Sequence, residues 1–175
     1  MDISSELVKK CCRGDSRAQF ELYAMYARAM YNVSCRIIPD RMEAEDAMQE
    51  AFFKAFDRIS TFRGEVTFGA WLKRIVINTC LDHLKKRRVQ LVSFDDLPGL
   101  AEHTDSSDDY TPESVEQVKL AMQQLPEGYR VVLTLRLVEE LDYPEIAEML
   151  DINESSVRSQ YTRGRQKLVE LLKRN

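Results

Sequence analysis

Residues that hold metals or form disulfides are scarce in this sequence. Its 175 residues include only four cysteines and two histidines, and Cys11, Cys12, Cys35 and Cys80 form no CxxC pair. Zinc sites and disulfide frameworks require recognisable cysteine and histidine spacings. The sequence therefore predicts no metal site and no cofactor.

Long apolar runs are absent as well. A helix that spans a bilayer needs roughly 20 consecutive apolar residues, and no run in the sequence approaches that length. The start of the chain, with Asp2, Ser4 and Glu6, lacks the basic and apolar segments of a signal peptide. We therefore expect neither membrane insertion nor secretion, and we predict a cytoplasmic protein. The hydrophobic share of 44% suffices for a packed core.

Charge is unevenly distributed along the chain. The formal net charge is −4, from 25 basic and 29 acidic residues, which by itself favours no polyanionic partner. Residues 63–88, however, carry 7 basic and 2 acidic side chains, and residues 154–175 carry 6 and 2. Both segments are basic enough to contact nucleic acid.

A long acidic stretch separates the two basic segments. No Lys or Arg occurs between Arg88 and Lys119, and residues 89–112 carry 6 acidic side chains. Residues 93–111 show no helical periodicity, and an irregular loop of this length is uncommon inside a compact domain. The sequence thus predicts two domains, residues 1–92 and 112–175, joined by an acidic flexible linker. A solvated spacer without a further role is the simpler interpretation of that linker.

Apolar residues recur at helical spacing and no segment alternates as a strand does, so we predict an all-α fold. The first domain is expected to contain helices at about residues 4–12, 17–37, 42–59 and 69–88, with a stop at Pro39 and a loop at 60–67. The second is expected to contain a helix from Pro112 to residue 124, another from Pro126 to about residue 141, and two shorter helices at the end.

The last two helices have the pattern of a helix-turn-helix. Asp142 and Glu145 are spaced as a capping box, with Pro144 in the first turn. Residues 151–153 form a short turn, and the second helix begins at about Glu154. This arrangement is typical of DNA-binding domains.

The second of these helices has one apolar side and one side with hydroxyl and basic residues. The predicted buried positions are Val157, Tyr161, Gly164, Leu168 and Leu171. Small hydroxyl side chains let the backbone approach a DNA groove, arginine can bond guanine bidentately, and further basic residues suit phosphates. A solvated polar face is the alternative, but the cap, the turn and the basic charge together favour DNA binding. The predicted DNA contacts are Ser155, Arg158, Ser159, Thr162, Arg163, Arg165 and Lys167.

The basic helix of the first domain combines arginine with aromatic and amide side chains. Aromatic rings can stack on unpaired bases and an asparagine can read a base edge, so this helix and its preceding loop suit single-stranded nucleic acid. A core position for Trp71 is the alternative, because apolar residues occupy much of the helix circumference. The residues concerned are Phe62, Arg63, Phe68, Trp71, Arg74, Asn78, Lys85, Lys86, Arg87 and Arg88.

The helix predicted at residues 42–59 has an acidic face around a phenylalanine. An apolar anchor surrounded by charge is typical of a protein-binding hot spot, and a contact within the domain is the alternative. The face comprises Asp46, Gln49, Glu50, Phe53 and Asp57.

Seven segments resemble the sigma-seventy family of bacterial RNA polymerase sigma factors. Similar to its region 2 are residues 44–52 (AEDAMQEAF), 61–64 (TFRG), 71–75 (WLKRI) and 78–79 (NT). Similar to its region 4 are residues 125–127 (LPE), 143–147 (YPEIA) and 156–159 (SVRS). The order and spacing of these segments resemble the extracytoplasmic-function (ECF) group, which keeps only these two regions. The resemblance covers nearly the whole chain.

The resemblance implies a factor without catalytic activity that binds core RNA polymerase and directs promoter-specific initiation. Region 2 would contact the clamp helices of the largest subunit through the acidic face. The loop at 62–68 and Asn78 would capture a flipped base of the minus-ten element, while residues 85–88 bind the DNA backbone. Region 4 would read the minus-thirty-five element and dock on the polymerase flap, with the linker in the RNA path. A separate anti-sigma protein, often membrane-bound, is a further implied partner.

A free-standing helix-turn-helix regulator that binds duplex DNA without polymerase is the alternative function. It predicts dimerisation on a palindromic site, but it leaves the face around Phe53 without a purpose. An enzyme is not predicted, because no histidine lies near a nucleophile–base arrangement. Relatives often carry proline and glycine where Asn153 and Ser155 stand, so the minus-thirty-five sequence does not follow from the resemblance.

Overall fold

In the computed structural model, the chain divides into two compact units with the boundary between Asp95 and Asp96. The structure describes residues 3–92 and 112–174, and this part of the chain contains helices and no strand. The predicted all-α fold with two helical domains is therefore confirmed. The predicted linker at 93–111 lies outside the described residues.

Within residues 3–92, the N-terminal unit contains four α-helices. They are α1 (Ile3–Cys11), α2 (Ser16–Ile37), α3 (Arg41–Asp57) and α4 (Phe68–Val92), with a 3-10 turn (Ile59–Thr61) after α3. Helix α2 packs against the other three, and α3 packs against α4. The fully buried core residues include Leu22, Ile37, Leu72 and Ile77. The apolar face of each helix is thus turned to its neighbours, which leaves the polar faces of α3 and α4 outward.

Aspartate side chains define the starts of α2 and α3. The Oδ1 atom of Asp15 accepts hydrogen bonds from two backbone amides of the first turn, at 2.9 and 3.1 Å, and Asp40 Oδ1 accepts one from Glu43 N at 2.9 Å. Such caps satisfy amide groups that have no partner within the helix. Helix α2 ends at Ile37, two residues before the predicted stop at Pro39.

Within residues 112–174, the C-terminal unit contains four α-helices and one π-helical turn. They are α5 (Pro112–Gln124), α6 (Glu127–Leu133), the π-helical turn (Thr134–Val138), α7 (Tyr143–Leu150) and α8 (Glu154–Arg174). Helix α8 packs against α5, α6 and α7. The fully buried side chains here include Leu133, Leu135, Ile146 and Val157. Helix α8 is therefore the element that holds the unit together.

Two predicted helix lengths in this unit are wrong. The helix after Pro126 ends at Val138 rather than near residue 141, because Glu139 N bonds back to Thr134 O at 3.1 Å and Glu140 adopts a left-handed backbone with φ of 58°. The last helix, predicted as short, has 21 residues, a length that agrees with the buried positions predicted up to Leu171. Its packing against α5 and α6 extends the helix well beyond the segment needed for a helix-turn-helix.

The predicted helix-turn-helix is present in α7 and α8. Glu145 N donates to Asp142 Oδ1 at 2.9 Å and Asp142 N donates to Glu145 Oε2 at 3.0 Å, which completes the predicted capping box. After α7, Asp151 takes a left-handed backbone with φ of 54°, a conformation that a short polar side chain tolerates. Asn153 then caps α8, since Ser156 N donates to its Oδ1 at 2.7 Å. The turn thus orients α8 through its own hydrogen bonds.

Gly164 allows α8 to approach α6 closely. A Cβ atom at this position would lie 2.9 Å from Tyr129 Cβ and 3.4 Å from Leu133 Cγ. Tyr129 Cβ is attached directly to the backbone, so it cannot move aside as a side-chain tip can. Glycine has poor intrinsic helix propensity, but the close packing of α8 against α6 leaves no room for a larger residue at this position.

We expect Gly164→Ala to lower the free energy of unfolding of the C-terminal unit by up to about 2 kcal/mol. Overpacking costs about 1–3 kcal/mol, and the better helix propensity of alanine offsets about 1 kcal/mol of this. Urea denaturation monitored by circular dichroism measures the change. Gly128→Ala is the matched control, because its Cβ would meet only the flexible end of Gln160, at 3.2 Å. A Gly164→Ala protein that is more stable than the wild type would contradict the close packing.

Candidate nucleic-acid interfaces

The outward face of α8 presents the side chains predicted to contact DNA. The exposed residues are Ser155, Arg158, Ser159, Thr162, Arg163, Arg165 and Lys167. On the other side of the helix, Val157 and Gly164 are buried, and Tyr161, Leu168 and Leu171 are half-buried. The structure thus brings the whole predicted set together on one accessible surface.

Two of the three hydroxyl groups on this face form hydrogen bonds with groups of the same unit. Ser155 Oγ donates to Asn153 Oδ1 at 2.8 Å, and Thr162 Oγ1 donates to Arg158 O at 3.0 Å. The hydroxyl of Thr162 is therefore directed at its own helix, which leaves the methyl group for an outside contact. A threonine methyl group suits the methyl group of thymine in the major groove.

Arg158 is restrained by two neighbouring side chains. Its Nε and Nη2 atoms donate to Glu154 Oε1 at 3.1 and 2.5 Å. Its guanidinium carbon lies 4.5 Å from the ring centroid of Tyr143, on α7. The pairing with Glu154 has the i, i+4 spacing that sequence reasoning could have detected. The contact with Tyr143 depends on how α7 packs against α8, which no local pattern reveals.

In the N-terminal unit, the loop before α4 meets a cluster of aromatic rings. The ring centroid of Phe62 lies 5.4 Å from that of Trp71 and 5.8 Å from that of Phe68. Phe68 lies 5.6 Å from Trp71 and 5.4 Å from Tyr26 of α2. Phe62 and Trp71 are half-buried and remain partly open to solvent. We call these four rings the aromatic cluster.

The predicted base contact of Phe68 does not fit its position in this cluster. The side chain is only 2% exposed, so its ring offers no face on which a base could stack. Phe68 instead supports Phe62 and Trp71 from inside the unit. Trp71 fits both the predicted stacking role and the alternative core position, since part of its ring packs in the cluster and part is open to solvent.

The basic residues beyond the cluster line the outside of α4 and its preceding loop. The exposed ones are Arg63, Arg74, Lys85, Lys86 and Arg88, and the amide side chain of Asn78 is exposed on the same helix. Arg87 is half-buried, and its Nη1 atom donates to Glu43 Oε2 of α3 at 3.3 Å. This pairing joins residues 44 positions apart in the sequence, so helical spacing alone could not predict it. Arg87 thus links α4 to α3 in addition to carrying charge.

On α3, the acidic face surrounds an exposed phenylalanine. Phe53 is 77% exposed, and Asp46, Gln49 and Asp57 are exposed around it. Among residues 3–92, no neighbour buries Phe53, which disfavours the alternative interpretation of a core contact within the domain. A large exposed ring among carboxylates suits a protein partner that covers it.

Glu50 differs from the rest of this face because it is engaged within the unit. Its Oε1 atom lies 2.8 Å from Lys54 Nζ, and its Oε2 atom lies 2.6 Å from His83 Nε2 of α4. Hydrogen bonds from Lys54 and His83 lower the pKa of Glu50 to about 2. The Lys54 pair lies within α3 and the His83 contact joins α3 to α4, so the carboxylate predicted to contact a partner protein is also engaged within the unit. His83 was not among the predicted site residues.

We expect Glu50→Gln to lower the free energy of unfolding of the N-terminal unit by about 1 kcal/mol at pH 7. The bonds to Lys54 and His83 stabilise the ionised carboxylate, but the groups are partly exposed and the effect is reduced by solvent screening. The pKa of Glu50 is lowered from 4.5 to about 2, so this stabilisation is present above pH 4.5 and is lost as the pH falls towards 2.

Urea denaturation of the wild type and Glu50→Gln at pH 7, 4 and 3 tests this expectation. The difference between the two proteins should shrink as the pH falls. Glu45→Gln is the matched control on the same helix, because the Glu45 carboxylate accepts an exposed hydrogen bond from Gln49 at 3.4 Å. A difference that stays constant from pH 7 to pH 3 would show that charge at Glu50 is not responsible.

Within residues 3–92 and 112–174, no group of three or more His, Cys, Asp or Glu side chains is placed to hold a metal ion. None of the helices described in these ranges is long and apolar enough to cross a membrane. The charged and aromatic surfaces of α3, α4 and α8 are the candidate sites that the structure presents.

The geometry of these surfaces defines a two-domain helical protein of the nucleic-acid-binding class. The C-terminal unit carries a helix-turn-helix with a basic second helix, which is suited to duplex DNA. The N-terminal unit carries partly open rings beside a basic helix, which is suited to unpaired bases. The two surfaces differ in kind and belong to different units.

Comparison with known proteins identifies the family within this class. Residues 22–89 match the family described as Sigma-70 region 2, and residues 116–168 match the one described as Sigma-70, region 4. The RNA polymerase sigma-H factor of Pseudomonas aeruginosa is 34% identical over 180 residues, which cover 95% of this chain and 92% of that protein. The ECF RNA polymerase sigma-E factor of Escherichia coli K12 is 30% identical over 171 residues, covering 91% and 89%.

A solved structure shows the same fold. The sigma factor RpoE from Bartonella quintana, in complex with the anti-sigma factor NepR, aligns with a TM-score of 0.59 at 20% identity, covering 86% of this chain and 94% of that one. The chain therefore belongs to the sigma-70 family, in the ECF group of RNA polymerase sigma factors. The family resemblance noted in the sequence is confirmed.

Proposed function

We propose that this chain binds core RNA polymerase and directs it to promoters, with the minus-ten element melted and read by the N-terminal domain and the minus-thirty-five element read by the C-terminal domain. The observation that carries the proposal is the presence of two different nucleic-acid surfaces in one chain. A basic recognition helix alone would fit many regulators. The partly open rings of Phe62 and Trp71 beside a basic helix suit bases that have left the duplex.

The residues of the N-terminal surface divide into those for bases and those for the backbone. Phe62 and Trp71 hold a base flipped out of the non-template strand, and Asn78 reads its edge. Arg74 and the basic residues at 85–88 neutralise the adjacent phosphates. The 5.4 Å separation between the centroids of Phe62 and Trp71 supports this division, because it places the two partly open rings next to each other.

In the C-terminal domain, α8 lies in the major groove of the minus-thirty-five element. Arg158 and Arg163 reach base edges, where arginine distinguishes guanine through two parallel hydrogen bonds. Arg165 and Lys167 contact phosphates and fix the register of the helix. The small side chains on the same face, Ser159 among them, allow the backbone to come close to the DNA.

The exposed face around Phe53 is the proposed contact with core polymerase, with Asp46, Gln49 and Asp57 at its rim. Bond formation belongs to the polymerase, so the chain itself is not an enzyme and acts in the cytoplasm, where transcription takes place. A separate anti-sigma protein is part of the same proposal, because the sigma factor RpoE is bound to the anti-sigma factor NepR in its solved structure. We assign residues 1–92 to region 2, 112–175 to region 4, and 93–111 to the linker between them.

In vitro transcription with purified components tests the proposal. The chain is added to core RNA polymerase on a fragmented genomic library, and transcript starts are mapped by sequencing. We expect transcripts from a small set of promoters with shared minus-ten and minus-thirty-five motifs, and none of these with core polymerase alone. Equal affinity for these promoters with and without core polymerase would contradict the proposal and favour a free-standing helix-turn-helix regulator, which would also bind its site as a dimer.

A further inference from the structure

We propose that Glu154 and Tyr143 are positioning residues that hold the guanidinium group of Arg158 ready for end-on recognition of one guanine in the minus-thirty-five element. The inference rests on the proposed function and deepens it, because it names the residues that set specificity at a single base pair. Its physical basis is the set of contacts that Arg158 makes with α7 and with the first turn of α8.

The hydrogen bonds to Glu154 use one particular edge of the guanidinium group. Both Nε and Nη2 of Arg158 donate to the same oxygen, Glu154 Oε1, at 3.1 and 2.5 Å. Neither bond involves Nη1. The end of the group formed by Nη1 and Nη2 can therefore still donate two parallel hydrogen bonds, which is the pattern that matches O6 and N7 of guanine. Glu154 thus binds the Nε–Nη2 edge of the guanidinium group and leaves the Nη1–Nη2 edge available for guanine.

Tyr143 restrains the same group from a different helix. The guanidinium carbon of Arg158 lies 4.5 Å from the Tyr143 ring centroid, within cation–π range. The ring is itself held in place, because its centroid lies 5.8 Å from that of Tyr161, and the guanidinium carbon of Arg136 lies 5.1 Å from it. Two contacts from independent elements therefore define the position of Arg158, which still has 60% of its side-chain surface exposed.

A purely stabilising role does not account for this arrangement. An exposed i, i+4 ion pair contributes little to stability, and Glu154 would serve the helix N-terminus equally well without engaging a predicted base contact. Ordering a flexible side chain before binding removes an entropy cost from the binding step. This lower entropy cost helps most when Arg158 makes a contact with strict geometry. A pair of parallel hydrogen bonds to one guanine has such geometry, whereas a contact with the phosphate backbone does not.

Selection from a randomised duplex library by the reconstituted holoenzyme tests the inference. Wild-type chain and four variants are each bound to core RNA polymerase, mixed with duplexes carrying 40 randomised base pairs (about four helical turns), and the retained DNA is sequenced. Arg158→Ala identifies the base pair that Arg158 reads. Glu154→Ala removes the acceptor, Glu154→Gln removes only the charge, and Glu170→Ala removes a carboxylate from the far end of the same helix, where Glu170 pairs with Lys167 at 3.5 Å.

We expect Arg158→Ala to lower the preference for guanine at one position by about 5- to 150-fold. Glu154→Ala should lower the preference at that same position by about 2- to 10-fold, the gain expected from ordering one side chain. Glu154→Gln, which keeps a carbonyl acceptor, should lose less than Glu154→Ala. Glu170→Ala should retain the wild-type preference at that position.

Two results would overturn the inference while leaving the proposed function intact. The first is a wild-type minus-thirty-five motif that Arg158→Ala leaves unchanged. The second is that Glu154→Ala and Glu154→Gln both raise the affinity for all DNA sequences by the same factor. That result would show that Glu154 only weakens DNA binding through its negative charge. A wild-type holoenzyme that selects no minus-thirty-five motif would instead overturn the proposed reading of that element, and the inference with it.

Discussion

Replacing Phe68 with alanine is expected to lower the free energy of unfolding of the N-terminal domain by about 3–5 kcal/mol. The side chain is 2% exposed and lies against Phe62, Trp71 and Tyr26, so its removal leaves a cavity among three rings. Trp71 is the single tryptophan of the chain and lies next to that cavity. Its fluorescence during urea denaturation therefore reports on this domain.

Two further variants separate support of the cluster from contact with a base. Phe68→Leu keeps most of the buried volume and should cost about 1 kcal/mol, so this protein remains folded for functional assays. Phe62→Ala removes a partly open ring and should cost less stability than Phe68→Ala. With core polymerase present, Phe62→Ala should impair promoter opening more than Phe68→Leu does, as measured with a fluorescent base analogue in the minus-ten element. The reverse order would indicate that Phe68 itself holds the base.

The helix boundaries could be predicted from the sequence wherever local chemistry determines them. The capping box of Asp142 and Glu145 depends on residues three positions apart, and its hydrogen bonds form as expected. The caps at Asp15 and Asp40 follow the same local rule. The predicted short length of the last helix is wrong, since α8 has 21 residues and continues to Arg174, and it packs against α5, α6 and α7.

The sequence could predict which residues of the candidate sites lie on an exposed helix face, but not which side chains of other helices they contact. Helical spacing correctly placed Phe53 and Arg158 on the outside of their helices. It could not show that Glu50 meets His83 or that Glu43 meets Arg87, because these pairs are separated by 33 and 44 positions and depend on how α3 packs against α4. The burial of Phe68 was missed for the same reason, since its neighbour Tyr26 comes from α2.

On the acidic face of α3, some side chains are exposed and others form contacts within the unit, and this difference decides which residue should be replaced to test partner binding. Glu50 is tied to Lys54 and His83, so its replacement would alter both stability and binding. Phe53 makes no such contact and is 77% exposed, so its replacement isolates the interaction with a partner. Aromatic residues at the centre of an interface commonly contribute most of its binding energy.

We expect Phe53→Ala to weaken binding of core RNA polymerase by about 2 kcal/mol or more, which corresponds to about 30-fold in Kd. The unfolding transition should be unchanged, because an exposed side chain loses no packing on truncation. Titration of labelled chain with core polymerase, followed by fluorescence anisotropy, measures the affinity.

Phe20→Ala is the matched control for this prediction. Phe20 is 70% exposed but lies on α2 and not on α3, so its removal tests whether the loss of any exposed ring weakens binding. Wild-type affinity for core polymerase in Phe53→Ala would reject the proposed role of this face. An equal loss in both variants would indicate a broader apolar interface across α2 and α3. A loss confined to Phe53→Ala, with an unchanged unfolding transition, would place the polymerase contact on the acidic face of α3.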